Sequence, residues 1–302
     1  MECLSDQPIL PFADIDYNQF RDTSVPIIID WGAYRSRVGF ASEGSPQLVF
    51  RSLISKQRAK KDSEVLVGNE ILDIEAVKRV LRSPFEFDVV TQFDTMETIF
   101  DYMFVNLGID TNRVEHPIVL NEALCVPLWT RSNTQELLFE CYGIPSLMLG
   151  VDHLFSLHHN LADIENCLII SLGHYTIHVT VIIDGTVCCE RSKRINLGGL
   201  NLSLYLQRLM QLKYPKLTQE FTFTKCEQIV QKLCHFSQDY DFESCQWSRE
   251  DYYNKNIKRF KASVATKVSP TPIENFSERS QRLLQKVENK LFRRRETQVL
   301  IK

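Results

Sequence analysis

Two short stretches of this chain hold residues whose types and spacing could do chemistry. The first is Ile27-Ile28-Ile29-Asp30-Trp31-Gly32-Ala33-Tyr34-Arg35-Ser36-Arg37-Val38-Gly39-Phe40. The second is Leu168-Ile169-Ile170-Ser171-Leu172-Gly173-His174-Tyr175-Thr176-Ile177-His178-Val179. Each reads as an apolar strand, a polar turn around glycine, and a return strand. Turns of this kind offer backbone N–H groups to phosphate oxygens, and glycine lets the main chain approach without a Cβ in the way. An acid beside the turn can hold magnesium through water. Asp30, Gly32 and Gly173 are therefore the candidate nucleotide-binding residues.

Composition limits what else the chain can be. It has 302 residues, enough for two domains with cores of their own. The formal net charge is −3, which gives no whole-protein attraction to nucleic acid or anionic membrane. Nine cysteines are scattered without a Cys-x-x-Cys pair, and the one adjacent pair is Cys188-Cys189. That is neither a zinc pattern nor a secreted disulfide framework, so a reducing compartment is expected. The N-terminus has neither the basic nor the apolar region of a secretion signal, and no apolar run reaches membrane-spanning length.

The elements that must position the two turns follow from pattern. Residues 1–24 read as a flexible polar arm. Strands are expected at Ile27–Asp30, Arg37–Ala41 and Leu48–Leu53, a charged loop at Gln57–Glu64, and helices at Asn69–Leu81 and Asp94–Leu107, the latter capped by Asp94. Strand Pro117–Asn121 precedes a helix at Arg131–Tyr142, with Ser132 and Gln135 in capping-box spacing. Strand Ser146–Leu149 and helix Val151–Leu161 follow. Strands Cys167–Ser171, Thr176–Ile183 and Thr186–Arg194 come next, the last two joined by the hairpin dipeptide Asp184-Gly185. Helices Leu200–Leu212 and Thr224–Phe236 close the patterned region. The order strand, turn, strand, strand, helix thus occurs twice, an internal repeat with little residue identity. Residues 248–302 are basic, contain Ser269-Pro270-Thr271-Pro272, and read as a linker or insertion, helical or disordered.

Several of these residues together resemble the actin family. Ile29-Asp30-Trp31-Gly32 with Arg37-Val38-Gly39-Phe40-Ala41 is similar to its first phosphate loop, and Leu168–Val179 to its second. Glu115-His116-Pro117-Ile118-Val119-Leu120-Asn121-Glu122-Ala123 is similar to the strand before the first connecting helix. Thr134-Gln135-Glu136-Leu137-Leu138-Phe139-Glu140 falls on that helix, and Phe221-Thr222-Phe223-Thr224 through Leu233-Cys234 on a later helical segment. The resemblance runs from about 25 to 245. It implies an α/β, actin-like (ribonuclease H-like) fold that is incomplete: a first lobe at 25–162, the start of a second at 163–247, then the tail. Nothing after Trp247 resembles the adenosine loop, second connecting helix or C-terminal helix of the family, so the expectation is a chain that stops inside an insertion.

Measured against the family, both turns are altered. The first carries Tyr34 at the next glycine position. The second carries Ser171 in place of an acid and Tyr175 in place of a glycine. A tyrosine where left-handed backbone is needed costs roughly 1–2 kcal/mol, and its ring would stand where phosphate should lie. The family's water-positioning glutamine falls on Glu136, beside Gln135, and His178 matches its histidine near the attacking water. Losing one preorganised group typically costs on the order of 100-fold in rate. The resemblance therefore implies no enzyme activity and no catalytic residue. The expected cofactor is none, or weakly bound ATP or ADP with magnesium.

Within the family, the similarity points to the members that serve as subunits of nuclear ATP-dependent chromatin remodelling complexes. It implies a scaffold that meets the nucleosome, both DNA and histones, through other subunits, in transcription and DNA repair, located in the nucleus with some in the cytoplasm. The short charged stretch Lys56-Gln57-Arg58-Ala59-Lys60-Lys61-Asp62 argues against filament formation. Arg293, Arg294 and Arg295 are candidates for DNA or histone contact, although such a run is most often a solvated helix face. The alternative is an actin-like ATPase or sugar-kinase-like enzyme that binds ATP-Mg between the turns. Bland readings stand beside these: Asp30 as a turn cap, His178 as a satisfied wall residue, His153, His158 and His159 as structural histidines, and Trp31 and Trp129 as core or contact residues.

Overall fold

The computed structural model describes residues 15–21, 23–57, 65–71, 79–161 and 164–247. The chain divides into two units, Met1–Thr266 and Lys267–Lys302. All of the described residues belong to the first. The second, with Arg293, Arg294 and Arg295, lies outside the described residues, as does the stretch 58–64.

The first lobe is built on a five-stranded sheet. Its strands are β1 (Ile27–Trp31), β2 (Arg35–Phe40), β3 (Leu48–Arg51), β9 (Ile118–Glu122) and β10 (Leu147–Val151), in the order β10-β9-β1-β2-β3. β1, β2 and β3 are antiparallel neighbours, whereas β9 joins β1 and β10 joins β9 in parallel. Along β1 the burial alternates, with Ile27, Ile29 and Trp31 inside and Ile28 outside, as period-2 side chains require. Helix α1 (Phe93–Asn106) covers that inner face with Met96, Ile99, Phe100 and Met103. Their i, i+3, i+4, i+7 spacing makes one apolar stripe, and the Trp31 and Phe100 rings meet edge to face at 5.1 Å.

A smaller sheet of β4 (Ile54–Gln57), β5 (Leu66–Val67) and β6 (Arg79–Arg82) has the order β5-β4-β6, and β7 (Phe85–Glu86) pairs with β8 (Val89–Val90). The second lobe carries β11 (Cys167–Leu172), β12 (Ile177–Ile183), β13 (Thr186–Val187) and β14 (Lys193–Ile195). β12 is central, with β11 on one side and β13 and β14 on the other. Helix α2 (Leu128–Glu136) lies between β9 and β10, α3 (Asp152–Asn160) lies between β10 and β11, and α4 (Gly199–Lys213), α5 (Phe223–Leu233) and α6 (Tyr240–Trp247) follow. Among the described residues no helix is long and apolar enough to cross a membrane.

Five expectations need correction. The described part of residues 1–24 is not a loose arm: Tyr17 and Phe20 are buried, and Phe20 stacks on Phe40 at 4.0 Å. The helix expected at Asn69–Leu81 is broken by structure of another kind at both ends. Gly68 sits at φ +53 with Phe50 against it, Asn69 donates its amide to the Val49 carbonyl at 2.8 Å, and Arg79–Arg82 pairs with β4. Ser132 and Gln135 form no cap, because the helix has already begun at Leu128, directly after Pro127. Proline lacks the N–H that a helix start leaves unused. The strand expected at Thr186–Arg194 is two, interrupted at Cys188, whose carbonyl accepts from Arg191 and Ser192. Asp94 lies in the first turn of α1 rather than at its cap, which is Gln92. The Asp184-Gly185 hairpin, by contrast, forms as expected, with positive φ at both residues, 51 and 69, as a two-residue primed turn requires.

Candidate functional site: two hairpin turns face to face

The two turns share one local geometry. A Cβ on Gly32 would lie 2.5 Å from the Arg35 carbonyl oxygen, and one on Gly173 would lie 2.7 Å from that of Thr176. In each case glycine is required because a Cβ would clash with the carbonyl oxygen three residues on. The repeat seen in the sequence therefore extends to single atoms. Among the described residues, the positive-φ residues other than glycine are Phe87, Cys125 and Asp184. Tyr34 and Tyr175 are not among them, so the expected left-handed strain is absent, and each tyrosine acts through its ring alone.

Those rings fill the space between the turns. Tyr34 stacks on His174 at 4.4 Å between centroids. The Arg51 guanidinium, at the end of β3, lies 4.4 Å from the centre of the Tyr34 ring, and Arg35 lies 5.2 Å from it. Arg51 Nη2 donates to Glu227 Oε2 of α5 at 2.6 Å, both side chains being under a tenth exposed. Burial pushes the Tyr34 hydroxyl up to about 12, against the opposing pull of Arg51. Burial likewise lowers His174 and raises Tyr175, so all three rings are neutral near pH 7. Tyr175 meets His174 edge to face at 4.7 Å and Phe87 at 6.4 Å, and Arg194 stands 6.0 Å from the Phe87 ring.

The polar groups around the turns are also engaged by protein. Asp30 Oδ2 accepts from Arg37 at 2.6 Å and Asp30 Oδ1 from the Asn121 amide at 2.6 Å. Asn121 in turn accepts from the Trp31 N–H. Asp30 thus ties β1 to β2 and β9 through side-chain donors on those strands. His178 Nε2 is 3.2 Å from Asp88 Oδ2, in the turn between β7 and β8, and 3.2 Å from Thr176 Oγ1. His178 faces Ser171 across the β11–β12 register. The first N–H groups of α4, which could bind an anion, go to the second turn: Gly199 N donates to Gly173 O at 3.1 Å and Leu200 N to His174 O at 2.9 Å. A Cβ on Gly198 would strike the His174 oxygen at 2.3 Å.

Other residues singled out by sequence fall elsewhere. Gln135 and Glu136 are exposed near the end of α2. His153 is buried, with Nε2 2.9 Å from Thr180 Oγ1 and Nδ1 3.0 Å from Asp152; His158 and His159 are exposed on α3. Trp31 is core, whereas Trp129 is 62% exposed. Among the described residues no group of three or more histidine, cysteine or acidic side chains could hold a metal ion. Sequence reading missed Arg51, Glu227, Asp88 and Asn121. Nothing local marks Arg51 and Glu227, which are 176 residues apart.

A glycine-turn hairpin repeated on two lobes, each turn backed by a sheet, is the arrangement of an actin-like fold. The family model described as Actin matches residues 21–292, and the chain belongs to the actin family. The match continues past Trp247, where the resemblance legible in the sequence ends. The chain is 40% identical to Actin-related protein 5 of Drosophila melanogaster over 255 residues, covering 77% of this chain and 39% of that protein. It is 38% identical to Actin-related protein 5 of Homo sapiens, covering 90% of this chain and 47% of the human one. It is 39% identical to the Actin-like protein arp5 of Schizosaccharomyces pombe, covering 72% and 30%. The chain spans less than half the length of these curated relatives.

Proposed function

We propose that this chain is a non-catalytic actin-related subunit of a nuclear chromatin remodelling complex. In that role it is a scaffold between other subunits and the nucleosome, in transcription and DNA repair, while the motor subunit hydrolyses ATP. The observation that carries the reading is the Tyr34–His174 stack, backed by the buried Arg51–Glu227 pair. A nucleotide clamp needs open main chain at both turns. Here the mouth holds aromatic rings and cations, the Asp30 carboxylate is bonded to Arg37 and Asn121, and the α4 N-terminus is occupied by the second turn. ATP or ADP with magnesium would have to displace this network, so at most weak binding is expected. Arg293, Arg294 and Arg295 would add contact with DNA or histones, and the protein would form no filaments.

The retained glycines favour one alternative, an ATPase or sugar-kinase-like enzyme. A magnesium-dependent ATPase assay separates the two. The scaffold reading expects no turnover above background, in wild type or in Asp30→Ala. Turnover abolished by Asp30→Ala would sink it. Purifying the chain with remodelling subunits, expected to give a monodisperse complex, tests the partner half of the proposal.

A further inference from the structure

Cysteines that look scattered along the sequence converge between the lobes. Cys125 lies in the loop between β9 and α2, on the first lobe. Cys188 and Cys189 lie in the loop between β13 and β14, on the second. Cys125 and Cys189 are both exposed, and their thiols are hydrogen-bonded to each other. Cys188, beside them in sequence, is half-buried, whereas Cys226 is fully buried.

The backbone on each side holds its thiol in place. Cys125 has φ +61. That left-handed conformation is unfavourable for a residue with a Cβ and persists only where its surroundings fix it. On the second lobe, Cys188 N donates to Val181 O at 2.8 Å, and the Cys188 carbonyl accepts from Arg191 N at 3.2 Å and Ser192 N at 3.1 Å. Ser192 Oγ donates to the same carbonyl at 2.8 Å and accepts from Val181 N at 3.2 Å. The turn carrying Cys189 is thereby fastened to β12. Burial and the hydrogen bond to Cys189 raise the Cys125 thiol, so Cys125 keeps its proton and donates it to the Cys189 sulfur.

We propose that Cys125 and Cys189 are a peroxide-sensitive thiol pair that closes into a reversible disulfide and clasps the two lobes together. The oxidant is hydrogen peroxide or an alkyl hydroperoxide. The Cys189 sulfur attacks one peroxide oxygen, the O–O bond breaks, and the other oxygen leaves as water or alcohol with the Cys189 proton. The product at Cys189 is a sulfenic acid. Cys125, already in contact, is the resolving thiol: its sulfur attacks the sulfenic sulfur, the S–S bond forms, and the S–O bond breaks. The hydroxyl leaves as water with the Cys125 proton. Two thiols are oxidised to one disulfide while one peroxide is reduced. A dithiol reverses the bond through a mixed disulfide. In a reducing compartment such a pair is a transient redox sensor rather than a permanent staple.

The test treats the full chain with a small excess of hydrogen peroxide, alkylates the remaining thiols and digests without reduction. The expected product is a monomer yielding one peptide pair joined through Cys125 and Cys189, and dithiothreitol should separate it. Because the bond closes a long loop of the unfolded chain, the urea midpoint of the oxidised protein should exceed that of the reduced protein by about 1 M. Cys189→Ser, at an exposed position, should abolish both the link and the midpoint difference. Cys125→Asn, which tolerates left-handed backbone, should do the same from the other lobe. Cys188→Ser should keep both. The inference fails if peroxide drives either thiol to sulfinic acid without a link, if the bond joins two chains, or if Cys188 is linked in place of Cys189. It also fails if the oxidised and reduced proteins unfold at the same midpoint.

Discussion

The ring of Tyr34 lies 4.4 Å from that of His174, tilted by 30°. Each residue stands in the turn of one copy of the repeat, so the contact joins the two lobes at these turns. The Arg51 guanidinium stacks on the same tyrosine and is held by Glu227 on α5. A cation over an aromatic face gains about 2 kcal/mol when desolvated. The lobes are therefore held together at the cleft by side chains of the protein itself.

Tyr34→Ala should lower stability by about 2–4 kcal/mol in urea unfolding, the range for losing a largely buried ring and its stacking partners. Tyr34→Phe keeps the ring and should cost less than half as much. The double variant Tyr34→Gly with Tyr175→Gly should admit more of a fluorescent ATP analogue than wild type. A wild type that binds the analogue as well as the double variant would show that the rings do not close the site.

Breaking the buried pair should be costly, and replacing it should not. Arg51→Met takes the guanidinium away from the buried Glu227, for a loss of about 3–5 kcal/mol. Adding Glu227→Leu should recover most of that loss, since an apolar pair of similar volume avoids the desolvation penalty. A double-mutant cycle measured by urea unfolding tests the coupling. Strictly additive losses would mean that the two residues stabilise the protein separately.

Acid should loosen the contact through His174. Burial holds its folded pKa below the ordinary 6.5, so the unfolded chain takes up the proton first as pH falls. The histidine's contribution is complete above 6.5 and is lost as pH drops through the lowered folded value. At the alkaline end, Tyr34 ionises at 10 when unfolded and at about 12 when folded. Stability should therefore also decline as pH rises across that interval. The urea midpoint measured against pH should show a shallower acid limb in His174→Phe.

Asp30 should behave as a structural residue. Asp30→Ala and Asn121→Ala each remove one partner of a charge-assisted hydrogen bond that links β1 to β9. Each should lower stability by about 1–3 kcal/mol, read as a drop in thermal midpoint. Neither should change ATP turnover.

Much of this protein was decided by local sequence. Alternating apolar residues at Ile27, Ile29 and Trp31, the stripe Met96, Ile99, Phe100 and Met103, and Gly32, Gly173 and Asp184-Gly185 dictate the strands, the covering helix and the turns, because backbone geometry depends on near neighbours. The actin-like repeat and its tyrosines were legible for the same reason. Only the folded chain could decide what those tyrosines do. Arg51, Glu227, Asp88 and Asn121 reach the turns from distant elements, and such contacts carry no local periodicity. Likewise Leu168, Ile170 and Leu172 share the pattern of β1 but are exposed, because whether an apolar face is core or surface depends on the strand and helix placed beside it.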